Sequence, residues 1–330
     1  MNKRLAISAI IITIVSLGLT PMENPFDNKD SLHKVLASLG VEQDRHVIIN
    51  PDDKLVKKGY DIVTKGFTKN PEGNKSKRVS LYFSCTDCHN LVQEDPDLLN
   101  LNPQTRLDYA FENKLPFLQG STLWGVTNRK SWYNGDYEKK YGTRAKKSNK
   151  DLTEAIQLCA EVCSQGRPLE NWEMEALLHY FSSNSMTWAD VKKNPEVKQA
   201  KTNQELIEAI NSSYFPYSPA TFSSMPQRLD LGYEYKGNPE NGEKIFKLSC
   251  RTCHDKDGPS TVEFDYSPLT FKDFTNSFLD KGNFNLYKIV SQGTYPEMGH
   301  PAYMPLYPLE RMSHQQVEDL KAYMVQMANK

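Results

Sequence analysis

The chain has 330 residues, with 40 Lys and Arg against 41 Asp and Glu, a formal net charge of −1, and 38% hydrophobic residues. That length is generous for one compact core and comfortable for two. A charge so close to neutral gives no whole-chain pull toward nucleic acid or an acidic membrane surface, so partners have to be argued locally.

At the N-terminus, Lys3 and Arg4 precede an apolar run from Leu5 to Leu19. The run is short for a membrane span of about 20 residues and has the layout of an export signal. Residues 1–20 are therefore expected to be a signal peptide or an uncleaved N-terminal anchor, with the bulk of the protein outside the cytoplasm, in the periplasm. No other stretch reaches spanning length, so any membrane attachment would be through that anchor. Residues 21–50 read as an extension.

Residues 51–185 follow a scheme. "DDKLVKKGYDIVTKG" sets Leu55, Tyr60 and Val63 at helical spacing, and "YFSCTDCHNL" carries Cys85, Cys88 and His89. An irregular middle includes "EKKYGTRAKKSNK", whose Lys139, Lys140, Arg144, Lys146 and Lys147 read first as a solvated run and second as an anion-steering patch. A helix over 151–163 would put Leu152, Ile156, Cys159 and Cys163 on one inward face. A closing helix, "NWEMEALLHYFSS", aligns Met174, Leu177, Leu178 and Phe181.

Residues 186–235 pass from a charged stretch into one rich in aromatics, Pro and Ser between Tyr214 and Phe222, followed by Tyr233. That is too apolar for a free tether, so an ordered linker is expected. Residues 236–330 then repeat the scheme. Asn241 is placed to cap a short helix carrying Ile245 and Phe246, Cys250, Cys253 and His254 form the second motif, and Ser313 caps a closing helix with Val317, Leu320 and Met324 inside. The expected fold is mostly α with few strands: two tandem cytochrome c-like haem domains.

The haem expectation comes from the C-x-x-C-H units. Two thiols that distance apart suit addition to the two vinyl groups of a haem, and the adjacent histidine can reach the iron. A zinc ribbon would place its C-x-x-C pairs about 15–20 residues apart, far closer than here, and a redox dithiol would sit in a βαβ setting that the sequence lacks. Two covalently attached c-type haems are thus expected, with Cys85 and Cys88 holding one, Cys250 and Cys253 the other, and His89 and His254 as iron ligands.

For the opposite face of the second iron, Met298, His300, Met304 and Met312 are on offer. Met304, followed by Pro305 just before the closing helix, is the choice, and here residues 236–330 resemble a class I cytochrome c. Thioether ligation would raise the potential of that haem. The first unit has no such Met-Pro loop. Its candidates are a thiolate from Cys159 or Cys163, with His179 as competitor; the two cysteines also admit a disulfide, strained at i, i+4 of a helix, or an inert place in the core. A thiolate ligand would lower that haem's potential.

"GSTLWGVTNRKSWYNGDY" followed by "LCAEVCSQGRPLENWEMEALLHYF" is similar to the dihaem thiosulfate dehydrogenase family, and more distantly to SoxA cytochromes of sulfur oxidation. In register with that family, Cys159 falls on the ligand cysteine, since Gly166, Pro168 and Leu169 then align, and Arg129 falls on the arginine after "LWGV". The resemblance implies oxidation of a small sulfur anion, thiosulfate to tetrathionate, at Cys159, with Arg129 and Arg167 as candidate anion contacts. The family's arginine shortly before the cysteine is absent from "LTEAIQL", and its serine four residues later is Cys163 here. The alternative is an electron-transfer cytochrome without substrate chemistry. Either would hand electrons to a redox partner protein, a cytochrome or an oxidase. A dihaem peroxidase would need an open distal face that the "CAEVC" helix fills.

Overall fold

In a computed structural model, residues 26–215, 217–260, 262–277, 279, 285–294 and 304–330 are described. The apolar N-terminal run, Met298 and His300 lie outside them. The helices in chain order are α1 (Leu32–Ser38), α2 (Asp53–Lys65), α3 (Pro103–Glu112), α4 (Tyr137–Tyr141), α5 (Thr143–Lys150), α6 (Leu152–Leu158) and α7 (Asn171–Ser183). They continue with α8 (Trp188–Val191), α9 (Pro195–Gln199), α10 (Asn203–Tyr214), α11 (Pro239–Ile245), α12 (Arg251–His254), α13 (Pro268–Ser277), α14 (Leu286–Gln292) and α15 (His314–Ala328). Among the described residues there is no β-strand, only isolated bridges at Ser31–Thr187 and Lys69–Lys75.

Two helix crossings organise the chain, and both are solved the same way. Asp52 caps α2 by accepting from the amides of Lys54 and Leu55, and the helix buries Gly59, Ile62 and Val63 against α7. A Cβ at Gly59 would collide with the Ala176 carbonyl and with Cβ of Tyr180. In the C-terminal lobe, α11 crosses α15, and a Cβ at Gly242 would collide with the Asp319 carbonyl and Cβ of Tyr323. Each pair therefore packs backbone to backbone at a glycine, with a tyrosine four residues past the contact closing the crossing.

Local expectations hold in part. Ser313 caps α15 in a reciprocal box with Gln316, and Val317, Leu320 and Met324 are buried. Tyr60, expected inside, is 43% exposed and meets Tyr180 edge-on at the rim, because Gly59 is the residue that faces α7. The cap of α11 is Asn238, not Asn241: Pro239 begins the helix, and Asn241 inside its first turn donates to Asp319 Oδ2 at 2.7 Å. The interval 186–235 is more than a linker. Its α8, α9 and α10 share a core with α1, in which Leu32, Val35 and Leu36 pack with Trp188, Leu206 and Ile210.

The lobes are joined through a buried carboxylate. Glu94, 3% exposed, receives Nη1 of Arg311 at 2.7 Å and faces Nη1 of Arg106 at 4.0 Å. Arg106 donates to the Arg311 carbonyl at 2.6 Å and lies 3.8 Å over the Phe117 ring. Phe117, with Leu107 and Ala110 of α3, is built into the C-terminal core alongside Phe246, Phe271 and Tyr287, and its amide donates to the Leu248 carbonyl. The C-terminal lobe thus uses apolar residues supplied from before residue 118.

Removing Glu94 leaves two guanidinium groups buried without their counter-charge. Glu94→Ala is expected to destabilise the fold by about 3–5 kcal/mol, the usual cost of breaking a buried pair, in chemical denaturation near neutral pH. Burial pushes the Glu94 carboxyl up, but Arg311 and Arg106 outweigh it and hold it at about 2, against 4.5 in the unfolded chain. Its contribution is therefore full above about pH 4.5 and lost as pH falls toward 2. Denaturation midpoints of wild type and Glu94→Gln should converge over that window; parallel pH profiles would contradict this.

Candidate functional site

Ser84 and Asp87 cap one another around a 3-10 turn, Cys85–Asp87, which sets out Cys85 and Cys88 ahead of His89. His89 Nδ1 donates to the Ser121 carbonyl at 2.6 Å. That bond selects the tautomer whose Nε2 carries a lone pair, as an iron-binding nitrogen requires. The approach needs glycine at 120, since a Cβ there would lie 2.6 Å from His89 Cε1 and Nδ1.

The accepting loop is held on several sides. Arg311 Nη2 donates to the carbonyls of Leu118 at 2.9 Å and Gly120 at 2.6 Å, and Arg129 Nη1 donates to Ser121 Oγ at 2.7 Å. The Thr122 amide donates to Glu94 Oε1 at 2.7 Å.

Facing these groups across a cavity of about 290 Å³ are Cys159 and Cys163. Asp151 caps α6, which runs to Leu158, and the chain then widens into one π turn, Cys159–Cys163, closed by the Ser164 amide on the Cys159 carbonyl at 2.8 Å. The continuous α-helix expected over 151–163 ends early because residues 164–167 are tied to another segment: the Ser164 carbonyl accepts from Ser80 Oγ at 2.5 Å, and the Arg167 amide donates to Val79 O. The Tyr133 and Tyr141 hydroxyls stand 3.4 and 3.6 Å from Cys163 Sγ. The neighbouring Cys159 thiol lowers the Cys163 thiol to about 6 against the opposing effect of burial, helped by both tyrosines and Lys140, while Cys163 and burial push Cys159 up.

The remaining candidates fall variously. Arg129, 7% exposed, lines the cavity but directs its donors to Ser121 and Thr122 on the His89 side. Arg167 does not line it; the guanidinium grips Glu173 through two 2.7 Å bonds and donates to the carbonyls of Lys77 and Pro168. His179 turns away, accepting from the Asp52 amide at 2.9 Å. In the basic run Lys139, Arg144 and Lys146 pair with Asp136, Glu161 and Glu138, and Lys140 alone of the five lines the cavity. Glu94 and Arg311 join the site without any motif in the sequence to mark them, and Tyr133 and Tyr141 join it from stretches read there for other residues.

In the C-terminal lobe a second π turn, Phe246–Cys250, leads into α12 and positions Cys250, Cys253 and His254. His254 Nδ1 donates to the Val262 carbonyl at 2.7 Å, repeating the His89 arrangement, and its ring stacks on Phe264 with centroids 4.4 Å apart. Burial lifts Cys250 to about 12 and Cys85 to about 11. Met304 sits beside the core with its amide on Thr294 Oγ1 at 2.8 Å. Burial, and after it the charge of Cys253, pushes the Cys88 thiol up.

A family model for cytochrome c matches residues 239–328. That stretch is a cytochrome c domain. No curated protein and no solved structure matches the chain. A cytochrome c domain covalently binds a c-type haem and exchanges electrons with redox partner proteins. The N-terminal cavity also suits such a group. Its walls are largely apolar, while buried nitrogens with no partner, Nε of Arg129 and Arg311 and Nε2 of Gln119, offer donors of the kind that propionate carboxylates need.

Gly120→Ala would drive a methyl into His89. Overpacking of this kind costs about 1–3 kcal/mol, so a lowered denaturation midpoint is expected; an unchanged one would show that the loop gives way freely.

Proposed function

We propose that the chain is an exported dihaem electron-transfer cytochrome, with one c-type haem in each lobe. The observation that carries the reading is the cavity in which Cys85, Cys88 and His89 face a thiol-bearing turn, with the same glycine crossing and the same histidine-to-carbonyl bond as in the cytochrome c domain. Cys85 and Cys88 would hold the first haem and Cys250 and Cys253 the second. The proposed iron ligands are His89 with Cys159, and His254 with Met304. Thiolate donation would put the first haem at low potential and thioether the second at higher potential, so electrons would leave through the C-terminal domain to a partner protein.

A second reading, oxidation of a small sulfur anion such as thiosulfate beside the first haem, draws support from Lys140 and the two tyrosine hydroxyls around Cys163. Against it, Arg167 is engaged by Glu173 and does not line the cavity, and Arg129 commits Nη1 to Ser121 Oγ and Nη2 to the Thr122 carbonyl, keeping only Nε without a partner. Pure electron transfer is therefore the reading favoured.

Alkaline pyridine spectra should count two haems per chain, falling to one in Cys85→Ala/Cys88→Ala. Cys159→Met should raise the lower of two well-separated potentials, and an unmoved potential would reject Cys159 as ligand. Anaerobic mixing of the oxidised protein with thiosulfate should leave the haems oxidised; rapid reduction would make the sulfur-oxidising enzyme the correct reading.

A further inference from the structure

We propose that the outward face of the ribbon between Gly66 and Val79 is a docking surface for an acidic protein partner, one that presents carboxylates along an extended segment. Residues 65–78, "KGFTKNPEGNKSKR", hold five basic residues against one acidic, in a chain of net charge −1. The ribbon is ordered by its own backbone. Lys69 and Lys75 form an antiparallel bridge, the Asn70 amide donates to the Asn74 carbonyl at 2.8 Å, and the Ser76 amide donates to the Thr68 carbonyl at 2.8 Å.

Alternation along the two arms sorts their side chains. Thr68 is buried and Ser76 half-buried, and the Thr68 amide donates to Ser76 Oγ at 3.1 Å. Phe67, Lys69, Lys75 and Lys77 share the opposite face, and all three lysines are exposed. Lys69 lies directly across from Lys75, a pairing of like charges that weakens a ribbon. The Phe67 ring, its centroid 4.1 Å from Lys75 Nζ, stabilises one of the two ammonium groups.

On the preceding α2, by contrast, Lys57 and Lys65 share Asp61. Among the described residues no carboxylate pairs with Lys69, Lys75 or Lys77. A fixed row of charge that the fold leaves uncompensated is complementary to a row of opposite charge on another molecule. Lys75 and Lys77 alternate along one arm, a repeat of about 6.7 Å, which is the spacing of alternate carboxylates in an extended acidic segment. Just past the ribbon, Leu81 is 80% exposed and adds apolar contact area.

Gly66 and Val79, joined at the base of the ribbon by a 2.8 Å amide-to-carbonyl bond, both line the cavity of Cys85 and His89. Arg167 fixes that base, donating its amide to the Val79 carbonyl and its guanidinium to the carbonyls of Lys77 and Arg78. A partner seated on the ribbon is therefore held against the wall of the first site. Under the electron-transfer reading, on which this step rests, that partner is the electron donor.

The test uses the full-chain holoprotein and a short fluorescein-labelled peptide alternating Glu and Ser, with binding read by fluorescence anisotropy in low salt. Wild type should bind it, and binding should fade as ionic strength rises past about 0.1 M, where the screening length is about 10 Å. Lys69→Gln/Lys75→Gln/Lys77→Gln should weaken binding about tenfold. Lys34→Gln/Lys139→Gln/Lys247→Gln removes the same charge from lysines already paired with Asp30, Asp136 and Glu243, and should change affinity less than about twofold. Equal weakening by the two variants would show an effect of net charge and overturn the proposal, as would wild type that fails to bind the peptide. Binding to phosphatidylglycerol vesicles that is lost in the first variant, with no binding of the peptide, would make the face a membrane contact and also overturn it. A pyridine count of one haem would overturn the donor role alone, because docking is read from the peptide's fluorescence and not from haem.

Discussion

A single carboxylate between two arginines supports the arrangement. Glu94 is buried, and an ionised group there is tolerable only because Arg311 and Arg106 surround it and the Thr122 amide and Asn90 side chain complete its bonds. Arg311 belongs to the C-terminal lobe, yet its other nitrogen holds the carbonyls of Leu118 and Gly120, just before the Ser121 carbonyl that receives His89. The orientation of one motif's histidine is therefore set from the lobe that carries the other motif. The same joint ties the segments bearing the two motifs, through the Phe117 amide on the Leu248 carbonyl and the Gly120 amide on the Cys88 carbonyl.

The two lobes share a plan and differ in what was added to it. Each has a glycine at the crossing of its first and last helices, a tyrosine beyond it, and a histidine donating to a carbonyl further along the chain. The N-terminal lobe has in addition a third core, in which α1 packs with α8 and α10. It also has a thiol-bearing π turn, Cys159–Cys163, ahead of its closing helix. Those differences accord with a family match confined to residues 239–328.

Features that depend on local spacing are legible in the sequence. The C-x-x-C-H units, the apolar face of α15 and its Ser313 cap are each set by residues within one or two turns. Asn238 and Asn241 are both plausible caps, and the fixed φ of Pro239 is what decides between them. The π turn has no local signature because its cause is tertiary, through Ser80 and Val79 some 80 residues earlier in the chain. Arg129 and Arg167 depart from expectation for a related reason. A charge in a sequence shows what a residue can bind, but the partner that takes it, Glu173 for one and the Ser121 loop for the other, is chosen by the fold. Glu94 stays hidden because "LVQEDPDLL" reads as a polar loop.

Pro305, Leu306, Pro308 and Arg311 form part of the wall of the cavity that begins at Cys85 and His89. In a chain synthesised from its N-terminus, the first motif emerges more than 200 residues before the segment that shuts its cavity. Until that segment docks, the cavity is open on one side, so its closure depends on a part of the chain synthesised late.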